Sequence, residues 1–217
     1  GMLLALGICA ALVETAKSGL GQVIDAAMTD GSALLMTMMF GMYSAGQWKD
    51  ERESNLLDGA AHFYGCYECK DGKYISIGSI EPQFYASLIE NMELDASKFS
   101  NQFDKNSWSN LKELIGLRFK EKTRDEWCKI FTGKDICFAP VLSLEESLNN
   151  QHNLDRETFV EVAGIKQPAP APRFSRTESE IKHPPLKVGS NTPEIIESLS
   201  SKIDVSVLTD QKIIRLD

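Results

Sequence analysis

A carboxylate at the junction of a strand and a helix is the residue of this sequence best placed to do chemistry. Residues Tyr74 to Ile80 alternate apolar and small side chains, which predicts a strand. Pro82 then occupies the first position of a helix, where proline is favoured. Glu81 is therefore predicted to lie at the turn, held by backbone and helix dipole. It is either a helix-terminal charge that satisfies backbone N–H groups or a carboxylate partner of a catalytic base.

Methionines form a second group with a possible role in binding. Most helical methionines fill a protein core, and that is one interpretation of this group. The other is a surface for acyl chains, because unbranched, polarisable side chains accept chains of differing shape without a fixed pocket. The group lies on or beside one predicted helix and consists of Met28, Met36, Met38, Met39 and Met42.

The five cysteines do not form the pattern of a metal site. Cys66 and Cys69 have CxxC spacing, but no second such pair and no histidine pair follows at the spacing of metal ligands. Both lie in a predicted strand, in which residues three apart face opposite ways. We therefore expect no metal site, and five free thiols of the kind found in a reducing compartment, here the cytoplasm.

Composition and charge exclude several classes of partner. The chain has 217 residues, of which 42% are hydrophobic, enough for a sizeable core. Its net charge of -8 argues against nucleic acid or an anionic membrane, since both need a basic surface. The apolar run from Met2 to Val13 is too short to span a bilayer and lacks a basic leader, so we expect a buried helix packed on a sheet.

The elements that must position these residues begin as alternating helices and strands. Helices are predicted from Met2 to Ser18 and from Met28 to Ala45, with a short buried strand from Gln22 to Asp25 between them. The charged residues 47–55 indicate an exposed linker. From Phe63 the hydrophobic period changes to two, and together with the turn at 70–72 this predicts a β-hairpin.

Helices dominate the rest of the chain. Three are predicted over 82–91, 107–120 and 124–132, followed by a buried strand at 138–142. Thr123 with Glu126 and Ser143 with Glu146 have the spacing of capping boxes. Alternating prolines at 168, 170 and 172 favour an extended crossing of the surface, and a last helix is predicted from Glu194 to Ser200.

These elements predict an α/β protein in three parts. Residues 1–56 would be the remainder of a large, Rossmann-like α/β domain with its linker. Residues 57–155 would form a small α+β domain. Residues 156–217 would be a return segment with C-terminal helices that pack on the large domain.

Four segments carry a resemblance to a known family. They are Gly19–Met28, Asn55–Gly59 with Phe63–Tyr64, Ile80–Tyr85, and Pro168–Ser175. Together they resemble the family III CoA transferases and, within that family, the α-methylacyl-CoA racemases. The sequence departs from the family at Leu20, where a basic residue is usual, and at Ala60-Ala61-His62, where Gly-Ala-Pro is usual. His62 is therefore not expected to be the family's catalytic histidine.

The resemblance implies the fold of that family and a proton-transfer reaction. Such an enzyme epimerises 2-methylacyl-CoA thioesters by removing the proton beside the carbonyl and returning it on the opposite face. Glu81 would support the catalytic histidine through its distal nitrogen, and Tyr64, Ile80 and the five methionines would contact the substrate. Coenzyme A would enter as part of the substrate, and no other cofactor is implied.

The resemblance also implies an interlocked homodimer that acts on acyl-CoA in fatty acid metabolism. The family's histidine and aspartate lie upstream of the segment that begins at Met2, so we expect the chain to be the C-terminal part of the fold and inactive alone. The last three residues are not a peroxisomal signal. Two alternatives remain open: a CoA transferase between carboxylic acids, and a non-catalytic fragment that dimerises through an exposed apolar helix.

Overall fold

The computed structural model describes residues 1–198 and 205–214. The chain divides into two compact units, Gly1–Val141 and Leu142–Asp217. The three-part division expected from the sequence, with boundaries after residues 56 and 155, stays a prediction.

The first unit begins with three exposed helices: α1 (Met2–Ser18), α2 (Met28–Leu35) and α3 (Thr37–Ser44). None of them contains a buried residue, so the expectation that Met2 to Val13 is buried against a sheet is wrong. The helix forms because its residues favour it, and its large apolar side chains remain exposed.

Two details of this region also differ from expectation. The segment from Gln22 to Asp25 is irregular, because a strand needs a neighbour to pair with and none of the described strands lies beside it. The helix predicted from Met28 to Ala45 is interrupted at Met36. There the backbone N–H bonds the carbonyls of Ser32 and Ala33, which tightens the last turn of α2.

A three-stranded antiparallel sheet organises the remainder of the first unit. Its strands are β1 (Tyr64–Glu68), β2 (Tyr74–Gly78) and β3 (Phe138–Val141), in that order. The predicted hairpin is confirmed, and Gly72 supplies the positive φ of 73° that its turn requires. The third strand lies at an edge of this sheet and is partly exposed, so the expectation of a buried strand is wrong.

Three helices bury the core of the first unit: α4 (Pro82–Asn91), α5 (Trp108–Phe119) and α6 (Arg124–Phe131). The helix predicted over 107–120 is confirmed as α5, which packs on β1, while α6 packs on β3. The largest fully buried side chains of this core include Phe63, Ile75, Leu88, Ile115, Phe119, Trp127 and Phe131.

The second unit is built from short elements. They are α7 (Leu144–Leu148), α8 (Gln151–Asp155), β4 (Phe159–Val162), β5 (Ile165–Pro168), α9 (Thr192–Ser198) and α10 (Val205–Asp210). The β4–β5 hairpin was not predicted. Its two-residue turn places Ala163 and Gly164 at positive φ, and the sequence signal was the pair Ala-Gly between short apolar runs. The predicted end of the last helix at Ser200, and residues 215–217, lie outside the described residues.

No helix in the described part of the chain has the length and apolar character needed to cross a membrane.

Candidate active site

The structure places Glu81 at the turn between β2 and α4, as the sequence predicts. Its backbone is extended (φ -70°, ψ 141°), and Pro82 follows as the first residue of the helix. The carboxylate is exposed and accepts no hydrogen bond from the first turn of α4. Glu81 is therefore the N-cap residue of α4 by position but makes no side-chain capping bond, and its role as the partner of a catalytic base stays a prediction. The side chain is left available to a partner from outside its own helix.

The backbone before Glu81 is anchored by a buried serine. The hydroxyl of Ser79 donates to the carbonyl of Ile136 at 2.6 Å, and its N–H donates to the carbonyl of Phe63 at 3.0 Å. Because Ser79 is fully buried, both bonds are shielded from water. The turn that carries Glu81 is therefore fixed to β1 and to the segment that leads into β3.

Gln102 anchors the same turn from another direction, and sequence reasoning missed it. Its side-chain amide donates to the carbonyls of Ser79 at 3.0 Å and Ile80 at 2.8 Å. The backbone carbonyl of Gln102 accepts a hydrogen bond from the indole N–H of Trp108 at 2.8 Å, which connects this residue to α5. A lone polar residue in an irregular loop gives no periodic signal, so the sequence offered no means of finding it.

The negative charge of Glu81 acts on the thiol of Cys137. The pKa of its thiol is raised by slight burial and then by the negative charges of Glu81 and Asp135. Its carbonyl accepts the N–H of Gly78 at 2.8 Å, which holds it beside the end of β2. A thiol with a raised pKa is protonated at neutral pH, so Cys137 is not an activated nucleophile.

His62 is part of the core and has no access to a substrate. It is fully buried, with Nε2 at 2.7 Å from the hydroxyl oxygen of Tyr85, and its Nδ1 has no hydrogen-bond partner. The hydroxyl of Tyr67 donates to the His62 carbonyl at 2.6 Å. Burial lowers the pKa of His62 to about 4, so the ring is neutral at neutral pH.

The predicted methionines lie on α2 and α3 and at the break between them, and none belongs to the core. They therefore do not fill the core of this chain, and their role as an acyl-chain surface stays a prediction. Met36 and Met39 line a groove of about 340 Å³, whereas Met28, Met38 and Met42 do not. The remaining lining residues, which sequence reasoning missed, are Phe40, Tyr43, Trp48 and Asp50.

Tyr64 and Ile80 are half-buried and pack against the core of the first unit. They lie next to the turn that carries Glu81: Tyr64 pairs with Gly78 in the sheet, and Ile80 precedes the glutamate. None of Glu81, Tyr64 and Ile80 lines the methionine groove.

The described residues include no group of three or more His, Cys, Asp or Glu side chains that could hold a metal ion. The five cysteines are free, with Cys66 exposed and Cys69 buried, so the two residues of the CxxC pattern face different environments.

Residues 1–192 match the model of CoA-transferase family III. The chain is 38% identical to the alpha-methylacyl-CoA racemase of Mus musculus over 221 residues, covering 100% of this chain and 58% of the relative. It is also 38% identical to the Homo sapiens protein of the same name, covering 99% of this chain and 57% of that relative.

A solved structure shows the same fold. The CAIB/BAIF family protein from Brucella suis superposes with a TM-score of 0.72 at 17% identity, over 92% of this chain and 54% of that one. The mixed α/β fold expected from the sequence is thereby confirmed. The chain spans little more than half the length of the curated relatives it matches.

Proposed function

The chain belongs to CoA-transferase family III, and we propose that it forms part of an enzyme that epimerises 2-methylacyl-CoA thioesters. The observation that carries the proposal is the geometry of Glu81. Buried and partly buried hydrogen bonds anchor Ser79 and Ile80, directly before it, while its carboxylate is exposed and makes no capping bond. The names of the mouse and human relatives support the same reaction.

Epimerisation needs two groups that flank one carbon. A base removes the proton at C2 and leaves its electron pair as an enolate, and an acid on the opposite face returns a proton to the same carbon. A histidine and a carboxylate can exchange these roles when their pKa values lie near the working pH. No oxidation occurs, and the thioester bond stays intact.

We assign Glu81 a supporting role toward the histidine of this pair. A carboxylate that accepts the N–H of the distal ring nitrogen fixes the tautomer and favours the imidazolium form. His62 cannot be that histidine, because it is buried and bonded to Tyr85. The partner of Glu81 would therefore approach from the solvent side of the turn.

The acyl chain is assigned to the groove at Met36 and Met39, with coenzyme A as part of the substrate and no separate cofactor. A thioether surface suits chains of differing shape. The exposed apolar side chains of α1 support an interlocked homodimer. The five free cysteines are of the kind found in a reducing compartment, which supports the cytoplasm as the enzyme's location, and the role in fatty acid metabolism is proposed from the reaction itself.

The test follows deuterium uptake from D₂O at C2 of 2-methyldecanoyl-CoA. It is run on the chain and on a chimera in which the chain replaces the matched part of the mouse racemase. We expect exchange in the chimera and a loss of about tenfold or more in Glu81→Gln, because the histidine then loses its charged partner. Glu90→Gln, at an exposed carboxylate farther along α4, is the matched control.

Two results would contradict the proposal. Transfer of CoA to an added carboxylic acid without exchange at C2 would assign the transferase reaction instead. If a folded chimera shows neither exchange at C2 nor CoA transfer, the chain is a non-catalytic module.

A further inference from the structure

The groove assigned to the acyl chain carries one charge in an otherwise apolar wall. Its volume of about 340 Å³ lies within the range of small-molecule sites, and five of its six lining residues are methionine or aromatic. The sixth is Asp50, an exposed carboxylate for which the described residues supply neither a hydrogen bond nor an ion pair. Lys49, its neighbour in sequence, does not line the groove.

A buried hydrogen-bond network fixes the wall that bears this charge. Asn55 is 1% exposed, and its side chain bonds both backbone groups of Lys49: Oδ1 accepts the N–H at 2.8 Å and Nδ2 donates to the carbonyl at 3.0 Å. Nδ2 also donates to a carboxylate oxygen of Asp58 at 2.8 Å. Asp58 in turn accepts the N–H groups of Ser54 at 3.1 Å and Asn55 at 2.9 Å.

This network sets the position of the groove wall because Lys49 lies between Trp48 and Asp50. With both of its backbone groups bonded, the two peptide units that join these residues cannot rotate freely. The backbone that carries Trp48 and Asp50 is therefore held in place before any ligand binds, which lowers the entropic cost of binding.

We propose that Asp50 selects acyl chains by charge, admitting chains with a neutral end and disfavouring chains that end in a carboxylate, and that Asn55 is the residue that positions it. The inference rests on the proposed function, which assigns the acyl chain to this groove. The physical basis is repulsion between the Asp50 carboxylate and a carboxylate at the end of the acyl chain, in a groove from which the acyl chain has displaced water. For a partly exposed pair we expect a penalty of roughly three- to tenfold in affinity.

Tryptophan fluorescence gives a direct measurement on the chain as it exists. Of its three tryptophans, Trp108 and Trp127 are 4% and 0% exposed, whereas Trp48 lines the groove. A change in emission on titration therefore reports Trp48. The probes are the pantetheine thioesters of decanoic acid and of sebacic acid, which share a chain length and differ in the terminal carboxylate. Neither carries the phosphates of coenzyme A.

We expect the unmodified chain to bind the decanoyl probe more tightly than the sebacoyl probe. Part of that preference is the cost of burying any carboxylate, so the informative quantity is its change on substitution. Asp50→Asn should lower the ratio of the sebacoyl Kd to the decanoyl Kd by roughly three- to tenfold. Glu51→Gln removes an exposed neighbouring charge that does not line the groove, and it should leave the preference unchanged.

Asn55→Ala separates positioning from folding. A purely structural effect would weaken both probes equally, whereas loss of positioning should narrow the preference as Asp50→Asn does. If Asn55→Ala does not fold, the comparison of Asp50→Asn with Glu51→Gln decides alone.

Two outcomes overturn the inference. One is that Asp50→Asn and Glu51→Gln change the ratio of the two Kd values equally. The other is that the emission of Trp48 does not change with either probe. Failure of the proposed function has a different signature. It would appear as absent deuterium exchange in the chimera while the charge preference persists, because the binding measurement requires no turnover.

Discussion

Glu81 shows how a residue can be rigid and available at once. The four hydrogen bonds of Ser79 and Ile80 described above fix the backbone that precedes it, and Pro82 fixes the start of the helix that follows. The carboxylate nonetheless accepts no bond from its own helix. An ordinary cap would be occupied by backbone N–H groups, so the missing bond leaves Glu81 able to receive a donor from elsewhere.

At the same scale, His62 predicts how stability depends on pH. Burial lowers its pKa to about 4, below the ordinary value of 6.5, so the unfolded chain binds more protons than the folded one between these values. The stabilising contribution of the neutral ring is complete above pH 6.5 and is lost as pH falls toward 4. This residue should contribute a slope of at most about 1.4 kcal/mol per pH unit.

Urea unfolding across this pH range measures the slope. His62→Gln keeps a neutral group for the hydroxyl of Tyr85 and should flatten the profile, whereas His152→Gln, at an exposed histidine, should not. An unchanged slope in His62→Gln would show that other groups govern acid stability.

What the sequence could reveal at the level of residues depended on distance along the chain. Glu81 was predictable because Pro82 marks the helix start one residue away. Gln102 and Asn55 were not, because their bonds depend on how loops fold, and an irregular loop has no period to read. The five methionines were predicted as one group, but only Met36 and Met39 line the groove.

At the level of elements, the turn between β2 and α4 depends on a loop residue that precedes α5. Gln102→Ala removes the bonds to Ser79 and Ile80 and leaves their carbonyls unpaired. We expect the free energy of unfolding to fall by about 1 to 3 kcal/mol. In the chimera, the turnover rate should fall while the KM for acyl-CoA stays nearly constant, since the turn carries Glu81 and not the groove.

The control for this prediction is Asn101→Ala, at the exposed residue directly before Gln102. Urea unfolding and the deuterium assay measure the two effects. A loss of stability with unchanged turnover would show that the turn does not position Glu81.

The capping box at the start of α6 gives a second prediction for an element. Thr123 Oγ1 accepts the N–H of Glu126 at 3.3 Å, and a carboxylate oxygen of Glu126 accepts the N–H of Thr123 at 2.8 Å. Thr123→Ala should lower the free energy of unfolding by about 1 kcal/mol. Ser109→Ala, at an exposed position inside α5, should not destabilise and serves as the control in the same urea titration. Equal midpoints for the two variants would contradict the prediction.

Elements were predictable where their partners are local. Both capping boxes, at Thr123 and Ser143, are confirmed because the bonded groups lie three residues apart. The strand expected from Gln22 to Asp25 failed because a strand is defined by a neighbour that the local sequence cannot supply. The break at Met36 was missed because no proline or glycine marks it.

At the level of the whole molecule, α1 exposes apolar side chains that a folded protein usually covers. Leu6 is 66% exposed and Leu12 is 64% exposed. We expect the purified chain to self-associate, because contiguous apolar surface is removed from water when two copies meet. Sedimentation velocity over a range of concentrations measures this association.

The double substitution Leu6→Lys, Leu12→Lys should shift the distribution toward monomer. Lys17→Gln, on the same helix, is a control that leaves the apolar face intact. A concentration-independent monomer for the unmodified chain would contradict the expectation.

The order of the strands has a consequence for biosynthesis. The central strand β2 finds one neighbour within a few residues, but β3 and the carbonyl of Ile136, which lies 57 residues beyond Ser79, are made much later. A nascent chain can close the hairpin early, yet it exposes the other edge of β2 until translation has passed Val141. Non-local pairing of this kind slows folding, so the ribosome-bound intermediate is the state in which chaperones would be needed most.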